Sequence, residues 1–549
     1  DRRIRIGSSP LASNAAIMVD PDKLFGRHLA VLGNTGSGKS CTVAGLIRWS
    51  LDAAQKAVDA AGKKGPPNAR FVVLDPNGEY ARAFSDTERR VCVFRPGASE
   101  NPLVVPAWMW NSHEWSAVAQ AQPGAQRPLL VQALRGLRAG RVLNEPPHVR
   151  LVREVRLFRS RTLAYISDGS GSYMNFPGRN ECVELFNSLF QVMGALHGRL
   201  EAGSKLANRV KALAEEAHAF YGRHATWNEE RKRHYYTGPN SAEFDVFLPL
   251  FDAIEQEVPA MPPEESVSED SPIPFDVRSL PDHVEKLSAE STSNANLANF
   301  ISTLTLRIRS MLADRRLAPI VAPEKPPTFQ GWLEGLLGGG GPGVPVAVID
   351  LSLVPSEVTH VVVAVLGRLV FEASQRYRKL HKEGRALPTV LVLEEAHTFV
   401  RKGDDTQDPA TTPARLCREA FERIAREGRK FGVGLVLSSQ RPSELSQTVL
   451  AQCNTFMLHR LVNDADQGLV TKLVPDNVGA LLKELPSLPS RQAFMLGWAT
   501  PIPVLVEVNE LPISQRPHSA DPDFWDVWTR AAERPVDWSQ VASGWAAGE

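Results

Sequence analysis

The chain has 549 residues, too many for one compact hydrophobic core, and this length favours two to four domains. Charged residues make up 23% and hydrophobic residues 43%, proportions that exclude a disordered, collagenous or membrane chain. The 62 basic residues balance the 62 acidic ones, so the overall charge indicates neither a nucleic-acid nor a membrane partner and leaves room only for a local basic surface.

The cysteines and the apolar runs point to a cytoplasmic protein. Five cysteines are scattered without a CxxC pair or a His–Cys cluster, which argues against a zinc site or a disulfide framework. No apolar run reaches the roughly 18 residues that a membrane span needs, and no basic-then-apolar leader opens the chain. We therefore expect a reducing, cytoplasmic location without membrane attachment. Because the chain starts at Asp1, we also expect that an N-terminal segment preceded it.

The first predicted unit is a strand, a glycine-rich loop and a helix. Residues 27–32 form a short apolar run, and an apolar-periodic stretch over 41–51 follows the loop. A second strand is predicted over 71–74, ending in Asp-Pro-Asn-Gly-Glu. Together they form one βαβ unit with parallel strands.

From residue 112 the pattern changes to long segments of helical period, such as 128–138 and 182–200, which indicates a helical insertion. A Pro/Glu/Ser-rich stretch at 255–274 cannot bury enough apolar surface to be ordered, and we predict a mobile loop. The remaining predicted features are strands at 344–349, 389–393, 434–438 and 455–458, and surface loops at 338–343 and 401–407. The predicted domains are an N-terminal part of the core (1–111), the insertion (112–325), a C-terminal part of the core (326–515) and a tail (516–549).

The loop after the first strand fits the phosphate-binding pattern GxxxxGK[ST], in the context that this pattern requires, between a strand and a helix. Glycines let backbone N–H groups surround the β-phosphate, Lys39 reaches the β and γ oxygens, and Ser40 offers its hydroxyl to Mg²⁺. The alternative is a plain glycine turn. We predict ATP and Mg²⁺ as ligands, bound by Gly33, Asn34, Thr35, Gly36, Ser37, Gly38, Lys39, Ser40 and Cys41.

The apolar strand at 390–393 ends in two adjacent acids. In this arrangement Glu394 would hold Mg²⁺, usually through water, and Glu395 would polarise the attacking water as general base. Paired glutamates can also form a solvated turn, but the phosphate loop upstream favours the functional interpretation. The predicted fold class is α/β, a RecA-like P-loop ATPase core with a large helical insertion.

Two more features belong to the C-terminal part of the core. The strand at 434–438 is followed by Ser439 and Gln440, and a polar residue there can sense the γ-phosphate; a helix-capping Ser and an exposed Gln are the alternative. Residues 426–432 carry a cluster of positive charge before that strand. A guanidinium there can stabilise transition-state charge in its own or a neighbouring subunit, or the cluster is a solvated face.

Several segments, taken in order, resemble the HerA family of prokaryotic ATPases in the HerA/FtsK superfamily. They are residues 33–40, 75–80, 105–108, 349–352, 394–397, 424–432, 439–442 and 459–460, so the resemblance covers most of the chain from about 7 to 511. It implies a homo-hexameric ring around a central channel, with ATP bound between subunits and duplex DNA passing through.

The resemblance also implies roles for single residues. Lys39 and Ser40 hold phosphate and magnesium, Glu395 is the catalytic base and Gln440 is the sensor. Arg429 is the arginine finger supplied in trans, with Arg426 as the second candidate. HerA proteins typically begin with a small β-barrel that docks a partner, for which the phosphate loop at residue 33 leaves no room here. The helical segment at about 112–315 corresponds to the family's insertion but is longer.

Two functional contexts follow from the resemblance. One is an assembly module in antiphage defence that regulates an effector, either a sirtuin-type NAD hydrolase or a nuclease; the other is a DNA end-resection motor working with a NurA-type nuclease in repair. We favour defence, with the ATPase chemistry common to both. Conjugation-type ATPases, a third alternative, usually have a membrane attachment, and we expect none here. Candidate DNA contacts, which a solvated helical face would equally explain, are Arg135, Arg138 and Arg141.

Overall fold

The computed structural model describes residues 2–84, 91–140, 147–258, 267–291, 295–338, 345–381, 385–403, 412–473, 482–518, 524–532 and 534–547. The chain forms two compact units. The first comprises Asp1–Arg138 and Ser268–Glu549, and the second comprises Ala139–Val267. Helices of the predicted insertion therefore occur in both units.

The strands, in chain order, are β1 (Ile4–Ser9), β2 (Ala15–Val19), β3 (Leu29–Leu32), β4 (Phe71–Asp75), β5 (Val91–Phe94), β6 (Ala225–Asn228), β7 (Arg233–Tyr236), β8 (Val346–Asp350), β9 (Thr389–Leu393), β10 (Val433–Ser439), β11 (Thr455–Leu458), β12 (Gln492–Gly497) and β13 (Val504–Val508). All six strands that the sequence predicts are confirmed, as β3, β4, β8, β9, β10 and β11.

The helices, in chain order, are α1 (Pro21–Phe25), α2 (Lys39–Ala60), α3 (Tyr80–Ala83), α4 (Ser112–Val118), α5 (Gln126–Arg138), α6 (Pro147–Ser167), α7 (Gly178–His197), α8 (Lys205–His224), α9 (Phe247–Glu257), α10 (Leu280–Ser291), α11 (Ala295–Ala313), α12 (Ala318–Val321), α13 (Phe329–Leu337), α14 (Ser356–Leu380), α15 (Pro413–Glu427), α16 (Gln447–Leu450), α17 (Asp464–Leu473), α18 (Phe524–Trp528) and α19 (Trp538–Ala547).

The first unit is built on one large sheet with the strand order β2-β1-β13-β12-β11-β3-β10-β9-β4-β8-β5. The seven strands from β11 to β5 are parallel, and the other four join them antiparallel. Two strands, β10 and β9, lie between β3 and β4, although β3 and β4 are consecutive in the chain. This order places the end of β10 between the phosphate loop and the paired acids, as in a RecA-like core.

The parallel part of the sheet is covered on both faces. In β3, Leu29 and Val31 pack in one hydrophobic cluster with residues of α2, whereas Ala30 and Leu32 pack in another with residues of α14 and α15. Every residue of β3 is buried. A strand buried on both faces has a continuous apolar sequence, which is why β3 shows no alternation of polar and apolar residues.

The second unit contains α6 to α9 and the hairpin of β6 and β7. Its core is rich in aromatic side chains; Phe186 contacts Phe220 and Phe247 with ring centroids 4.3 and 4.5 Å apart. The helix predicted at 182–200 is confirmed as α7, and the helix predicted at 128–138 is confirmed as α5 of the first unit.

Three predicted loops lie partly outside the described residues, namely 255–274, 338–343 and 401–407. Among the helices that are described, none is both long and apolar enough to pass through a bilayer. The five cysteines are free thiols, with Cys182, Cys417 and Cys453 buried.

Candidate nucleotide-binding site

The phosphate loop joins the end of β3 to the start of α2. Gly36 and Gly38 have φ angles of +72° and +99°, in the left-handed region that glycine tolerates best. At Gly33 the constraint is space, since a Cβ atom there would lie 2.5 Å from the His459 Cβ. The glycines therefore allow a tight loop whose N–H groups lie at a helix N-terminus, where an anion is favoured.

Backbone hydrogen bonds hold this loop to neighbouring strands. Gly33 N donates to Ser439 O (3.2 Å), and Asn34 N donates to Arg460 O (2.9 Å). On the other side of the loop, Arg491 N donates to Ser37 O (3.0 Å). The loop is thus positioned by the last residue of β10, by a residue that follows β11 and by the residue that precedes β12.

Lys39 is the centre of a buried cluster of charges. Its Nζ lies 2.8 Å from Glu394 Oε1 and 3.2 Å from Glu395 Oε1, and it donates to Ser438 Oγ at 3.1 Å. Burial alone would lower the pKa of Lys39, but the two carboxylates outweigh it and the pKa is raised. The Lys39 ammonium is therefore charged and is held between the phosphate loop and the two carboxylates.

Glu394 connects the strand end to the first turn of α2. Its side chain is only 1% exposed. Oε1 accepts a hydrogen bond from Ser40 Oγ (2.9 Å), and Oε2 accepts one from Tyr80 Oη (2.8 Å). A carboxylate and a hydroxyl oxygen side by side are the hard ligands that Mg²⁺ prefers. The residues therefore fit the predicted metal.

Glu395 lies beside Glu394 but in a different environment. Its φ of +43° places a non-glycine residue in the left-handed region. Its Oε2 is buried, lies 3.3 Å from His397 Nδ1 and accepts no well-aligned hydrogen bond in the described structure. Burial raises the pKa of Glu395, but His397 and Lys39 together outweigh burial and lower it. The carboxylate is therefore ionised at neutral pH and has an oxygen free to accept a proton.

The predicted sensor also reaches the phosphate loop. Thr35 Oγ1 donates a hydrogen bond to Gln440 Oε1, just beyond the end of β10. The preceding residue, Ser439, has its Oγ 3.2 Å from His397 Nδ1. The structure thus brings together the loop, both acids and Gln440, as the sequence predicts.

The two candidate finger residues are not in this cluster. Arg429 lies in the short turn Gly428–Phe431, immediately before β10, and Arg426 lies in the last turn of α15. Because β10 runs parallel to β3, its start is at the opposite edge of the sheet from the phosphate loop. Both side chains are exposed. Neither arginine can reach the nucleotide site of its own chain.

The segment after β4 contributes polar groups for which the sequence analysis predicts no role. Asp75 is fully buried and accepts N–H bonds from Gly78 (3.1 Å) and Tyr80 (2.8 Å). Burial raises the pKa of Asp75 to about 6, against the effect of these bonds. Burial and the neighbouring carboxylates of Glu394 and Asp75 raise the pKa of Glu79 to about 7. This segment is one of those that resemble HerA, so the sequence marks it as important, but the resemblance implies no role for its residues.

Buried His459 is a second group without a predicted role. Its Nε2 pairs with Thr42 Oγ1 (3.1 Å), and burial lowers its pKa to about 4, so the imidazole is neutral.

Two of the candidate DNA contacts have other partners. Arg138 is 3% exposed and donates to the carbonyls of Trp108 and Trp110, so its prediction as a DNA contact or a solvated residue is wrong. Arg135 pairs with Glu269, and Arg141 lies outside the described residues.

The chain is a P-loop NTPase of RecA-like fold. Three features define this class: a glycine-rich loop at a helix start, a buried lysine, and paired acids two strands away. Residues 4–169 match the family model described as the central domain of the helicase HerA. The resemblance to HerA is thereby confirmed, and residues 4–169 are similar to the HerA central domain.

Curated relatives include proteins with the name HerA. The chain is 30% identical over 197 residues to the DNA double-strand break repair helicase HerA of Sulfolobus acidocaldarius, covering 36% of this chain and 37% of the relative. The HerA of Pyrococcus furiosus is 32% identical over 200 residues, covering 32% and 34%. A probable helicase of Methanocaldococcus jannaschii is 42% identical over 126 residues, covering 22% of each chain. The matches thus span little more than a third of these relatives at most.

The solved structures to which the chain is similar have low sequence identity and TM-scores below 0.5. The plasmid coupling protein TrwB, in complex with a non-hydrolysable ATP analogue, is 14% identical, with a TM-score of 0.43 and 94% of this chain and 97% of that chain covered. VirB4 of Thermoanaerobacter pseudethanolicus is 14% identical, with a TM-score of 0.39 and coverage of 93% and 97%.

Proposed function

We propose that the chain binds ATP with Mg²⁺ and hydrolyses it as a subunit of a homo-hexameric, HerA-like ring. The observation that carries this proposal is the buried cluster in which Lys39, Ser40, Glu394 and Glu395 meet at the mouth of the phosphate loop. A positive charge, two metal-binding oxygens and an ionised carboxylate are the groups that phosphoryl transfer to water requires.

Each residue has a distinct task in this proposal. Lys39 exchanges its carboxylate partners for the β and γ oxygens of the nucleotide, which compensates its charge in the loaded site. Ser40 and Glu394 hold magnesium, which, when bound, neutralises charge on the phosphate oxygens. Loss of the Lys39 contact leaves Glu395 able to accept the proton of the attacking water. Gln440, already hydrogen-bonded to the loop through Thr35, senses the γ-phosphate.

The position of Arg429 supports a ring. Its guanidinium is exposed at the sheet edge opposite its own site, so it can reach a γ-phosphate only in another copy of the chain. In a head-to-tail arrangement that edge of one subunit meets the nucleotide edge of the next, and repetition of the contact closes a ring. Arg429 is then the finger in trans, with Arg426 as the alternative.

We further propose that the ring binds or translocates duplex DNA and assembles with an effector in antiphage defence, either a sirtuin-type NAD hydrolase or a nuclease. A second candidate is DNA end resection with a NurA-type nuclease, and the repair helicase names of the matched relatives favour it. The ATPase site is common to both.

The first experiment is steady-state ATP hydrolysis by the purified chain, with and without duplex DNA, together with its mass in solution. Lys39→Ala serves as the inactive control. We expect a hexamer with Mg²⁺-dependent hydrolysis, and stimulation by DNA would favour the translocating motor. Hydrolysis that DNA does not change would favour effector assembly. A chain that binds no nucleotide would contradict the proposal.

A further inference from the structure

Tyr80 is rigidly placed between the sheet and the phosphate loop. It is the first residue of α3 and is fully buried. Its backbone N donates to Asp75 Oδ2 at 2.8 Å, and the turn before it passes through Gly78 with a φ of +71°. The Asp75 carboxylate accepts hydrogen bonds from backbone N–H groups of this turn, which fixes the direction in which the ring leaves the backbone.

The Tyr80 hydroxyl meets both elements of the predicted metal site. It lies 2.8 Å from Glu394 Oε2 and 3.3 Å from the carbonyl oxygen of Ser40. A phenol has one proton to donate, and a carboxylate is the stronger acceptor. The hydroxyl therefore donates to Glu394 Oε2, which leaves Oε1 turned towards the Ser40 hydroxyl.

We propose that Tyr80 is a positioning residue for magnesium: its hydroxyl holds the Glu394 carboxylate in the orientation that lets Glu394 Oε1 and Ser40 Oγ hold one cation. This inference rests on the proposed ATPase function. Partners that hydrogen-bond to a metal ligand typically contribute about 10- to 100-fold in metal affinity. A packing role alone would depend on the ring, whose centroid lies 6.4 Å from that of Phe84, and not on the hydroxyl.

The test uses the full chain with Tyr80→Phe, which keeps the ring and removes the hydroxyl. Mn²⁺ serves as the probe, and its binding to the ADP-loaded chain is measured by electron paramagnetic resonance. ADP affinity is measured separately in EDTA. We expect Mn²⁺ affinity to fall about 10-fold or more, while ADP affinity in EDTA stays within about twofold of that of the unsubstituted chain.

Two controls separate positioning from general damage. Thr42→Val removes a different buried hydroxyl, one that lies in α2 and pairs with His459 instead of Glu394, and should leave Mn²⁺ affinity unchanged. In a Glu394→Ala background, Tyr80→Phe should cost nothing more, because the group through which it acts is absent.

Three results would overturn the inference: unchanged Mn²⁺ affinity in Tyr80→Phe, an equal loss of ADP affinity in EDTA, or a full further loss in the Glu394→Ala background. Failure of the unsubstituted chain to bind ADP at all would overturn the proposed function as well. Normal ADP binding with unchanged Mn²⁺ affinity in Tyr80→Phe would overturn only the role of Tyr80.

Discussion

The two edges of the parallel sheet differ in how their charges are satisfied. At the carboxyl edge, Lys39 and Glu394 are buried and bonded to one another. At the amino edge, Arg429 is exposed beside a cavity of about 610 Å³ whose lining includes Arg2 and Arg70. The carboxyl edge pairs its buried charges with one another, whereas the amino edge has an exposed arginine. This difference is the reason to assign the chemistry to the first edge and a contribution to a neighbour's site to the second.

The largest expected effect tests the amino edge. Arg429→Ala should lower ATP turnover by about a thousandfold, because a finger neutralises charge that develops in the transition state. Mixing this variant with Lys39→Ala chains should restore part of the activity, since a site with an intact loop can then meet an intact arginine. The measurement is hydrolysis by the mixture relative to either variant alone.

Lys430→Ala is the matched control, because Lys430 is an exposed cation next to Arg429 and should leave turnover unchanged. Full activity of Arg429→Ala would move the finger role to Arg426. No recovery on mixing, with hexamers of both chains present, would contradict a contribution in trans.

The next effect tests the carboxyl edge. Glu395→Gln should lower turnover by about 100-fold or more, because an amide cannot accept the proton of the attacking water. Nucleotide binding and assembly should persist, since Lys39 and Ser40 are unchanged. Turnover and ATP affinity are measured on the same sample, with Glu100→Gln, an exposed acid, as the control. Normal hydrolysis in Glu395→Gln would remove Glu395 from the role of base.

The pattern GxxxxGK[ST] and the apolar strand before the paired acids were enough to predict the RecA-like core and the meeting of Lys39 with Glu394. Both features are local in sequence, and each makes the functional interpretation of the other stronger. The strand order could not be predicted, because the insertion of β10 and β9 between β3 and β4 depends on contacts more than 300 residues apart.

The contribution of Tyr80 and the burial of Arg138 were missed for a related reason. A tyrosine after a turn and an arginine on a helix have no distinctive spacing, and their partners Glu394 and Trp108 are distant in the sequence. Helical period alone cannot tell which basic residues of α5 face solvent. Arg138 is buried because two carbonyl groups accept its N–H bonds.

A smaller effect is expected on stability, and it shows how much the buried charges of the carboxyl edge depend on one another. Lys39→Met keeps most of the side-chain length but leaves the carboxylates of Glu394 and Glu395 without their cation. Removal of one partner from a buried ion pair typically costs about 3 kcal/mol or more of unfolding free energy, whereas Lys430→Met at the exposed edge should change it by no more than about 0.5 kcal/mol.

Urea denaturation of the nucleotide-free chains measures this cost. The loss for Lys39→Met should be smaller at pH 5 than at pH 8, because protonation of one carboxylate relieves the repulsion. Equal stability of Lys39→Met and the unsubstituted chain would show that the charges of this edge are not mutually dependent.

The smallest effect concerns Asp75. Burial raises its pKa in the folded chain to about 6, above the ordinary value of 3.8, so the folded state keeps this proton longer than the unfolded state. Its contribution to stability is fully present below about pH 4 and is lost as pH rises through about 6. As pH rises from about 4 to about 6, the unsubstituted chain should therefore lose unfolding free energy relative to Asp75→Asn. Above about pH 6 the difference between the two chains should stay constant.

A substitution of Glu79 separates the contributions of Asp75 and Glu79 to the pH dependence of stability. The pKa of Glu79, about 7, extends the pH-dependent loss of stability of the unsubstituted chain to about pH 7, so in Glu79→Gln this loss should end nearer to pH 6. Urea denaturation at intervals between pH 4 and 8 gives both curves. Parallel curves for Asp75→Asn and the unsubstituted chain would mean that burial does not hold a proton on Asp75. The turn before Tyr80 would then be held by an ionised carboxylate at every pH at which the chain is folded.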